Sequence, residues 1–358
     1  MNKRIKKELP LSSVVIEDCL NIIKSINLKP FKGKKILLTG SNGFFGRYIA
    51  HIIYSLNKKK GYNTTLYCLS LHSPNQDIKT LSSLDKNIIP IKKDLSKDFN
   101  FKHTINYIIH AACYAQPQKF IERSLETIEL NVNTTKRLLE LARKNNTSFL
   151  FFSSAETYGE IPEDKIPVSE SYNGNCSVFG PRAVYSESKR LGEVLCSVFR
   201  RDYNLMTFIA RISHIYGPGI SINDKRVLGD FIRKAVRESS ITLLDKGTAV
   251  KTFGYIADAV KMLLNILIWG KDIVYNVGGK DTVSIRKLAE EVASHYHVAV
   301  RLPKDKAKLL HIGTDPQVVK LDISKYTKEF GESNSVSLNS GIKKMLDWNS
   351  EQLNQKPS

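Results

Sequence analysis

Cysteine is scarce in this 358-residue chain, with only five in all. Cys19, Cys68, Cys113, Cys176 and Cys196 stand far apart, without the paired spacings of a zinc site or a disulfide framework. No bound metal is expected. Long apolar runs are also missing, and none approaches the roughly 20 residues that cross a bilayer. The basic opening Met1-Asn2-Lys3-Arg4-Ile5-Lys6-Lys7 leads into no secretory apolar core and no small-residue cleavage site. These absences argue against membrane insertion and secretion and set a cytoplasmic expectation. Acidic residues are few, 35 against 54 Lys and Arg, for a net charge of +19. That excess suits an acidic partner, such as a nucleotide diphosphate, or a lysine-rich solvated surface. The lysines are dispersed, Lys58-Lys59-Lys60 being the longest run. No RNA-binding aromatic motif or zinc-finger spacing appears, so nucleic acid is not an expected partner.

What is present reads as alternating strands and helices. Residues 13–23 carry apolar positions at helical spacing and predict an extra helix ahead of the first strand. Lys34-Lys35-Ile36-Leu37-Leu38-Thr39 predicts that strand, and Gly40-Ser41-Asn42-Gly43-Phe44-Phe45-Gly46 follows it directly. Glycines at 40, 43 and 46 allow a tight turn and a close approach of backbone to a pyrophosphate at the helix N-terminus. A second strand spans Thr64–Leu69, but the expected ribose-binding acid at its end is absent, the chain reading Ser70-Leu71-His72-Ser73. NAD and NADP therefore both stay open. A third strand near Asn87–Ile91 leads to Asp94-Leu95, where Asp94 either approaches an adenine or caps a turn. The fourth, Tyr107–Ala112, ends in the small residues Ala111 and Ala112, with His110 as a base or a structural residue. A helix is expected to start near Leu130-Asn131.

The apolar run Ser148–Phe152 predicts a buried strand that delivers Ser153-Ser154-Ala155-Glu156-Thr157-Tyr158-Gly159 to its C-terminal end, where open α/β sheets bind ligands. Downstream, Tyr185 and Lys189 are four residues apart and share a helical face. There the ammonium can lower the phenol's pKa and make the tyrosine a proton carrier for a hydroxyl. Asp258 reads as a helix N-cap, and Trp269 and Trp348 read as core.

This ordered set of motifs, from Thr39-Gly40 through Asp94-Leu95, His110-x-Ala112, Asn131-x-Asn133-Thr134 and Ser153–Gly159 to Tyr185-x-x-x-Lys189, resembles the extended short-chain dehydrogenase/reductases. That is the NAD-dependent epimerase/dehydratase group, which modifies nucleotide sugars. Gly180–Glu193, Ala210–Pro218 and Phe253–Asp258 look most like the UDP-glucuronate decarboxylases within it. The resemblance implies a Rossmann-like doubly wound α/β sheet with a smaller mixed substrate lobe. Helical spacing sets an N-terminal helical extension over 1–32, and the resemblance implies a cofactor domain over 33–180. The lobe takes most of 181–350 with segments returning to the sheet, and 351–358 form a flexible tail. It also implies a homodimer, a nucleotide-diphosphate sugar substrate and a place in surface-polysaccharide precursor synthesis.

Carried over residue by residue, the resemblance makes Tyr185 the proton relay and Lys189 its partner on the nicotinamide ribose. Ser154 bonds the sugar's O4, and Glu156 handles a proton after C4 oxidation. Gly40, Asn42, Gly43, Phe44, Phe45, Gly46, Asp94, Leu95, Ala111, Ala112 and Asn131 line the cofactor, with Tyr185 and Lys189. Arg182, Arg226, Lys251 and Lys320 meet the substrate, although Glu156 and Arg182 also read as surface residues, Arg182 in an ion pair. Ala155 departs from the Ser or Asp of relatives, and Lys251 and Lys320 stand where relatives carry arginines. C4 oxidation followed by decarboxylation, dehydration or epimerisation is the main reading. An NADPH-dependent 4-keto reductase is the runner-up, and a dinucleotide sensor or nucleic-acid module the third.

Overall fold

The computed structural model describes residues 11–97, 101–220, 224, 226–303, 318–332 and 335–354. The first strands are β1 (Lys35–Thr39), β2 (Thr65–Ser70), β3 (Ile88–Lys92), β4 (Tyr107–His110), β5 (Ser148–Ser154) and β6 (Thr207–Ile212). After them come β7 (His214–Tyr216), β8 (Ser240–Thr242), β9 (Val250–Tyr255), β10 (Val274–Val277), β11 (Asp281–Ser284), β12 (Ala299–Arg301) and β13 (Val318–Val319). Helices α1 (Ser13–Ser25), α2 (Phe44–Lys60), α3 (Gln76–Leu84), α4 (Pro117–Glu122), α5 (Ser124–Ile128) and α6 (Thr134–Asn145) fall in the first half. The second half adds α7 (Ala183–Tyr203), α8 (Val227–Glu238), α9 (Ile256–Trp269), α10 (Ile285–Tyr296), α11 (Ser324–Phe330) and α12 (Leu338–Asn354).

Seven parallel strands form the main sheet in the order β10-β6-β5-β4-β1-β2-β3. Its strands are apolar on both faces, as a sheet covered by helices on both sides requires. In β1, Ile36 and Leu38 join one core with α1, α2 and α9, while Leu37 joins a second with α6 and α7. That alternation is the two-residue period of a strand serving two layers. The Rossmann-like doubly wound sheet is the fold expected from the sequence. Strands β9, β11 and β13, with β7 beside β9, make a smaller mixed sheet, and β8 pairs β12.

The extra helix α1 is capped by Ser12, whose Oγ accepts from the Val15 amide at 3.3 Å. It packs on α2, α9 and α12 through Val15, Cys19, Ile22 and Ile23. It also buries Asp18, only 3% exposed, whose carboxylate accepts from Tyr48 and Tyr255, each at 2.5 Å, and from Lys344 Nζ at 2.8 Å.

Several expectations need correction. The helix expected near Leu130 begins at Ser124 and passes through a π-turn over Glu129–Asn133 before α6. Asp258 is not the N-cap of α9. Tyr255 holds that position, and Asp258 Oδ2 accepts from the Val336 amide at 2.8 Å, tying α9 to the chain ahead of α12. Trp269 is not core: it is 43% exposed, and its indole N–H donates to the Asn27 carbonyl at 3.0 Å. The expected tail is helical as far as Asn354, and 355–358 lie outside the described residues, as do 315–317 of the segment around Lys320.

Candidate active site

The expected cofactor loop lies where β1 runs into α2. Gly40 has φ +71°, and a Cβ there would stand 2.9 Å from the Ala111 carbonyl carbon and from Ala112 Cα. A side chain at Gly46 would stand 2.4 Å from the Gly40 carbonyl oxygen. The loop is therefore pressed against the end of β4. Gly43 has no side chain to cap α2, so among the described residues no side chain at that position meets the first-turn N–H groups of the helix. A pyrophosphate is the acceptor such a terminus takes, and the residues present fit a dinucleotide. Phe45 packs edge-on against Phe152, with ring centroids 5.4 Å apart.

Not every expected cofactor residue is free for that work. Asn42 spends its side chain on the loop after β2, donating to the Ser73 carbonyl at 2.9 Å and accepting from the Asn75 amide at 3.0 Å. Asp94 is a turn residue: its Oδ1 accepts from the Ser96 amide at 3.0 Å and from the Ser96 hydroxyl at 2.6 Å. These bonds to Ser96 hold its carboxyl below the usual range, despite partial burial. The Leu95 carbonyl takes hydrogen bonds from Thr134 and Arg137. At the end of β2, Ser70 turns its hydroxyl to the His72 carbonyl at 2.8 Å.

His110 is structural. Its Nδ1 shares a 2.8 Å hydrogen bond with Thr39 Oγ1, and its Nε2 lies 3.3 Å from the Leu130 carbonyl. Burial first, then the Lys189 charge, press its pKa down to about 3. A histidine so strongly held neutral has no use as a base near neutral pH.

The expected catalytic residues gather at the C-terminus of β5. Ser154 is the last residue of that strand, and its Oγ accepts from the Glu156 amide at 3.2 Å. The same hydroxyl acts on the Tyr185 phenol, opposing the rise that burial causes in its pKa. Lys189 is 2% exposed, donates to the Phe152 carbonyl at 2.6 Å and sits 4.7 Å from the Phe151 ring centroid. Its Nζ is 5.9 Å from the Tyr185 ring centroid. The expected direction of the tyrosine shift does not hold here. Burial, then Cys113 and Glu156, push the phenol well above its ordinary value of 10.0, while burial lowers Lys189. Desolvation outweighs the ammonium, because the phenolate is taken out of water on every side.

Asn131 lies in the π-turn with its Nδ2 on Ser188 Oγ at 2.9 Å, and its Oδ1 is buried with no partner among the described residues. Gly192 makes this contact possible: a Cβ there would stand 2.5 Å from the Phe151 ring and 2.9 Å from the Asn131 carbonyl oxygen.

Arg182 forks Glu156, with Nε 3.2 Å from Oε2 and Nη2 2.5 Å from Oε1. Its guanidinium lies 5.9 Å from the Phe120 ring centroid. Phe120 in turn stacks on Tyr185, with centroids 4.7 Å apart and planes 15° from parallel. Arg226 pairs with Asp224, and its charge helps offset the rise in the Tyr185 pKa. Of the other expected substrate residues, Lys251 is buried in β9, and Lys320 is exposed on the lobe, where its carbonyl accepts from the Val168 amide.

Two features escaped the sequence reading. Phe120, in the short helix α4, is one of them. The Ser153–Glu193–Arg211 chain was also missed: Ser153 Oγ donates to Glu193 at 2.5 Å, and Arg211 grips Glu193 at 2.7 Å. Arg211 covers the Tyr158 ring at 4.7 Å, and the Tyr158 hydroxyl donates to Asn276 at 2.6 Å. This network fixes the segment that carries Ser154 and Glu156 onto β6 and β10.

Comparison with known proteins gives the family. UDP-glucuronic acid decarboxylase 6 of Arabidopsis thaliana is 29% identical over 309 residues, covering 86% of each chain. UDP-glucuronic acid decarboxylase 1 of Danio rerio is 26% identical over 324 residues, covering 89% of this chain and 73% of the relative. Among solved structures, a dTDP-glucose 4,6-dehydratase from Streptomyces venezuelae with NAD and TYD bound aligns with a TM-score of 0.74 at 20% identity, over 89% of this chain and 98% of that one. A UDP-glucuronic acid 4-epimerase from Bacillus cereus, in complex with UDP-glucuronic acid and NAD, aligns with a TM-score of 0.71 at 22% identity, over 89% and 99%. Residues 36–278 match the model of the NAD dependent epimerase/dehydratase family. With the glycine loop and the Ser154–Tyr185–Lys189 cluster in place, the chain belongs to that family and is an NAD-dependent enzyme.

Proposed function

We propose that the enzyme oxidises a nucleotide-diphosphate sugar at C4, that the sugar carries a C6 carboxylate, and that this carboxylate is then lost as carbon dioxide. The observation that carries the reading is Glu156 in the fork of Arg182, next to the Ser154–Tyr185–Lys189 cluster. NAD, when bound, supplies the hydride acceptor. Tyr185 takes the O4 proton, Ser154 holds O4, and Lys189 balances the phenolate. A C4 ketone places the carboxylate β to a carbonyl, so the bond between C5 and C6 breaks with its electrons drawn into the enolate. Glu156 manages the proton that C5 then gains; C4 afterwards takes back its hydride and O4 the proton from Tyr185, so the cofactor ends in its oxidised form. Arg182 and Arg226 are the cations for the substrate's anionic groups.

Mass spectrometry of products from a panel of nucleotide sugars, with NAD or NADPH, tests this. Loss of carbon dioxide from a nucleotide uronate is expected. Unchanged mass with a shifted retention time means epimerisation, and a gain of two hydrogens from NADPH means a reductase; either result rejects decarboxylation. Glu156→Gln is expected to slow product release about 10²-fold while C4 oxidation continues, seen as reduced nicotinamide that builds up in absorbance.

We also infer a homodimer through α5 and α7. These helices touch one another and leave Leu125, Ile128, Leu191 and Val194 exposed, an apolar set suited to a second copy. Val194→Asp is expected to halve the mass measured by light scattering; a wild-type monomer rejects the inference.

A further inference from the structure

A cavity of about 60 Å³ lies away from the redox cluster, walled by α1, α2, α3, α12 and the loop after β7. Only Phe44 is common to it and the glycine loop. Arg47 and His51 line it from α2, one turn apart and so on the same face. Arg47 uses one arm on Asp77 at 3.2 Å and another on the Gly219 carbonyl. Its Nε is buried and has no partner among the described residues. A guanidinium can only donate, so that N–H lacks an acceptor. His51 is 4% exposed, and its Nδ1 is also without a partner among the described residues. Ser12 and Gln76 add polar groups to the wall, and Trp348 adds an apolar side.

From this geometry we propose that the cavity is a second binding site, for a small tetrahedral oxyanion of the size of inorganic phosphate. The volume accommodates several waters or one such ion. An oxyanion provides acceptors for donors that the protein leaves unmet, and no side chain in the wall does so for Arg47 Nε.

Charge sets the terms of binding. The titratable residues lining the cavity are Arg47, Tyr48, His51 and Asp77. Asp77 already offsets Arg47, so an anion needs a second positive charge, which His51 provides on taking up a proton. Burial keeps His51 below its ordinary pKa, with Asp77 opposing and Arg47 adding to that effect. A bound anion reverses the balance, so binding carries a proton with it and weakens as pH rises. Because Arg47 also holds Asp77 of α3 and Gly219 of the loop after β7, an occupied site stiffens the link between the glycine-loop helix and the lobe.

The test is a titration of inorganic phosphate into the NAD-saturated enzyme, followed by the ring-nitrogen resonances of His51 assigned through bonds. NAD blocks the phosphate-binding end of the glycine loop. The expected result is a saturable shift with proton uptake, its affinity falling about tenfold per pH unit once His51 loses its proton. His51→Gln is expected to remove the binding while turnover continues. No saturable shift means that the cavity holds water only, and binding that persists unchanged in His51→Gln means that phosphate goes elsewhere. Either result overturns the proposal, and the wild-type titration decides it even if the variant does not fold.

Discussion

Tyr185→Phe is expected to lower turnover about 10²–10⁴-fold, the range for removal of a positioned acid–base group. The variant keeps the ring, so the stack on Phe120 and the packing of α7 survive. Only the hydroxyl goes, with the influence of Ser154 on it. NAD affinity, read by fluorescence titration, should therefore stay close to wild type while kcat collapses. The pH profile gives a second reading. The working base is the phenolate, and burial, Cys113 and Glu156 all push its pKa up. Wild-type kcat should rise with pH through the neutral and alkaline range as the phenolate fraction grows, and the variant should lose that dependence. A variant with unchanged kcat would remove Tyr185 from the mechanism.

Asp18→Ala is expected to destabilise the fold by about 3–5 kcal/mol, the cost of breaking a buried ion pair from one side. The change leaves Lys344 with Glu17 alone, at 3.1 Å, and removes the acceptor for the Tyr48 and Tyr255 hydroxyls together. Asp18→Asn retains an acceptor but not the charge, so its loss should be smaller. Urea midpoints for the two variants measure both costs. Burial opposes the Lys344 ammonium, but hydrogen bonds and charge from Asp18 and Glu17 prevail and raise its pKa above the ordinary 10.5. A raised lysine contributes its full stability below the unfolded pKa and loses it as pH climbs through the folded one. The wild type should therefore lose this contribution only in strongly alkaline solution, and Asp18→Ala, which keeps only Glu17 beside the ammonium, should show a smaller alkaline loss.

The parts of this molecule that were legible in the sequence are those fixed by short spacings. Strand β1 and its glycines lie within a dozen residues, and Tyr185 and Lys189 within one helical turn. The unread parts are bonds between distant segments. Asn42 looked like a cofactor residue because of its place in the loop, but its partners are Ser73 and Asn75, which the loop after β2 delivers. Asp258 satisfied the local rule for an N-cap, yet its partner is Val336. Periodicity placed α1 but gave no sign that its acid would be buried, since Tyr255 and Lys344 come from the far end of the chain. The tyrosine's pKa was misjudged for a related reason: spacing reports a neighbouring charge but not the loss of water around it.

Strand β10, Val274–Val277, is the edge neighbour of β6 in the main sheet, although more than 60 residues of chain separate the two. On a ribosome this fixes the order of events. Domains form as units while the chain emerges at about 5–20 residues per second. The sheet's inner strands can pair early, but the flank of β6 stays open until Val277 has left the exit tunnel. During that interval, lasting several seconds at such speeds, the nascent protein presents an unpaired apolar edge to its surroundings. A message truncated after β6 would leave that edge permanently bare and expose it to strand addition by a neighbouring chain.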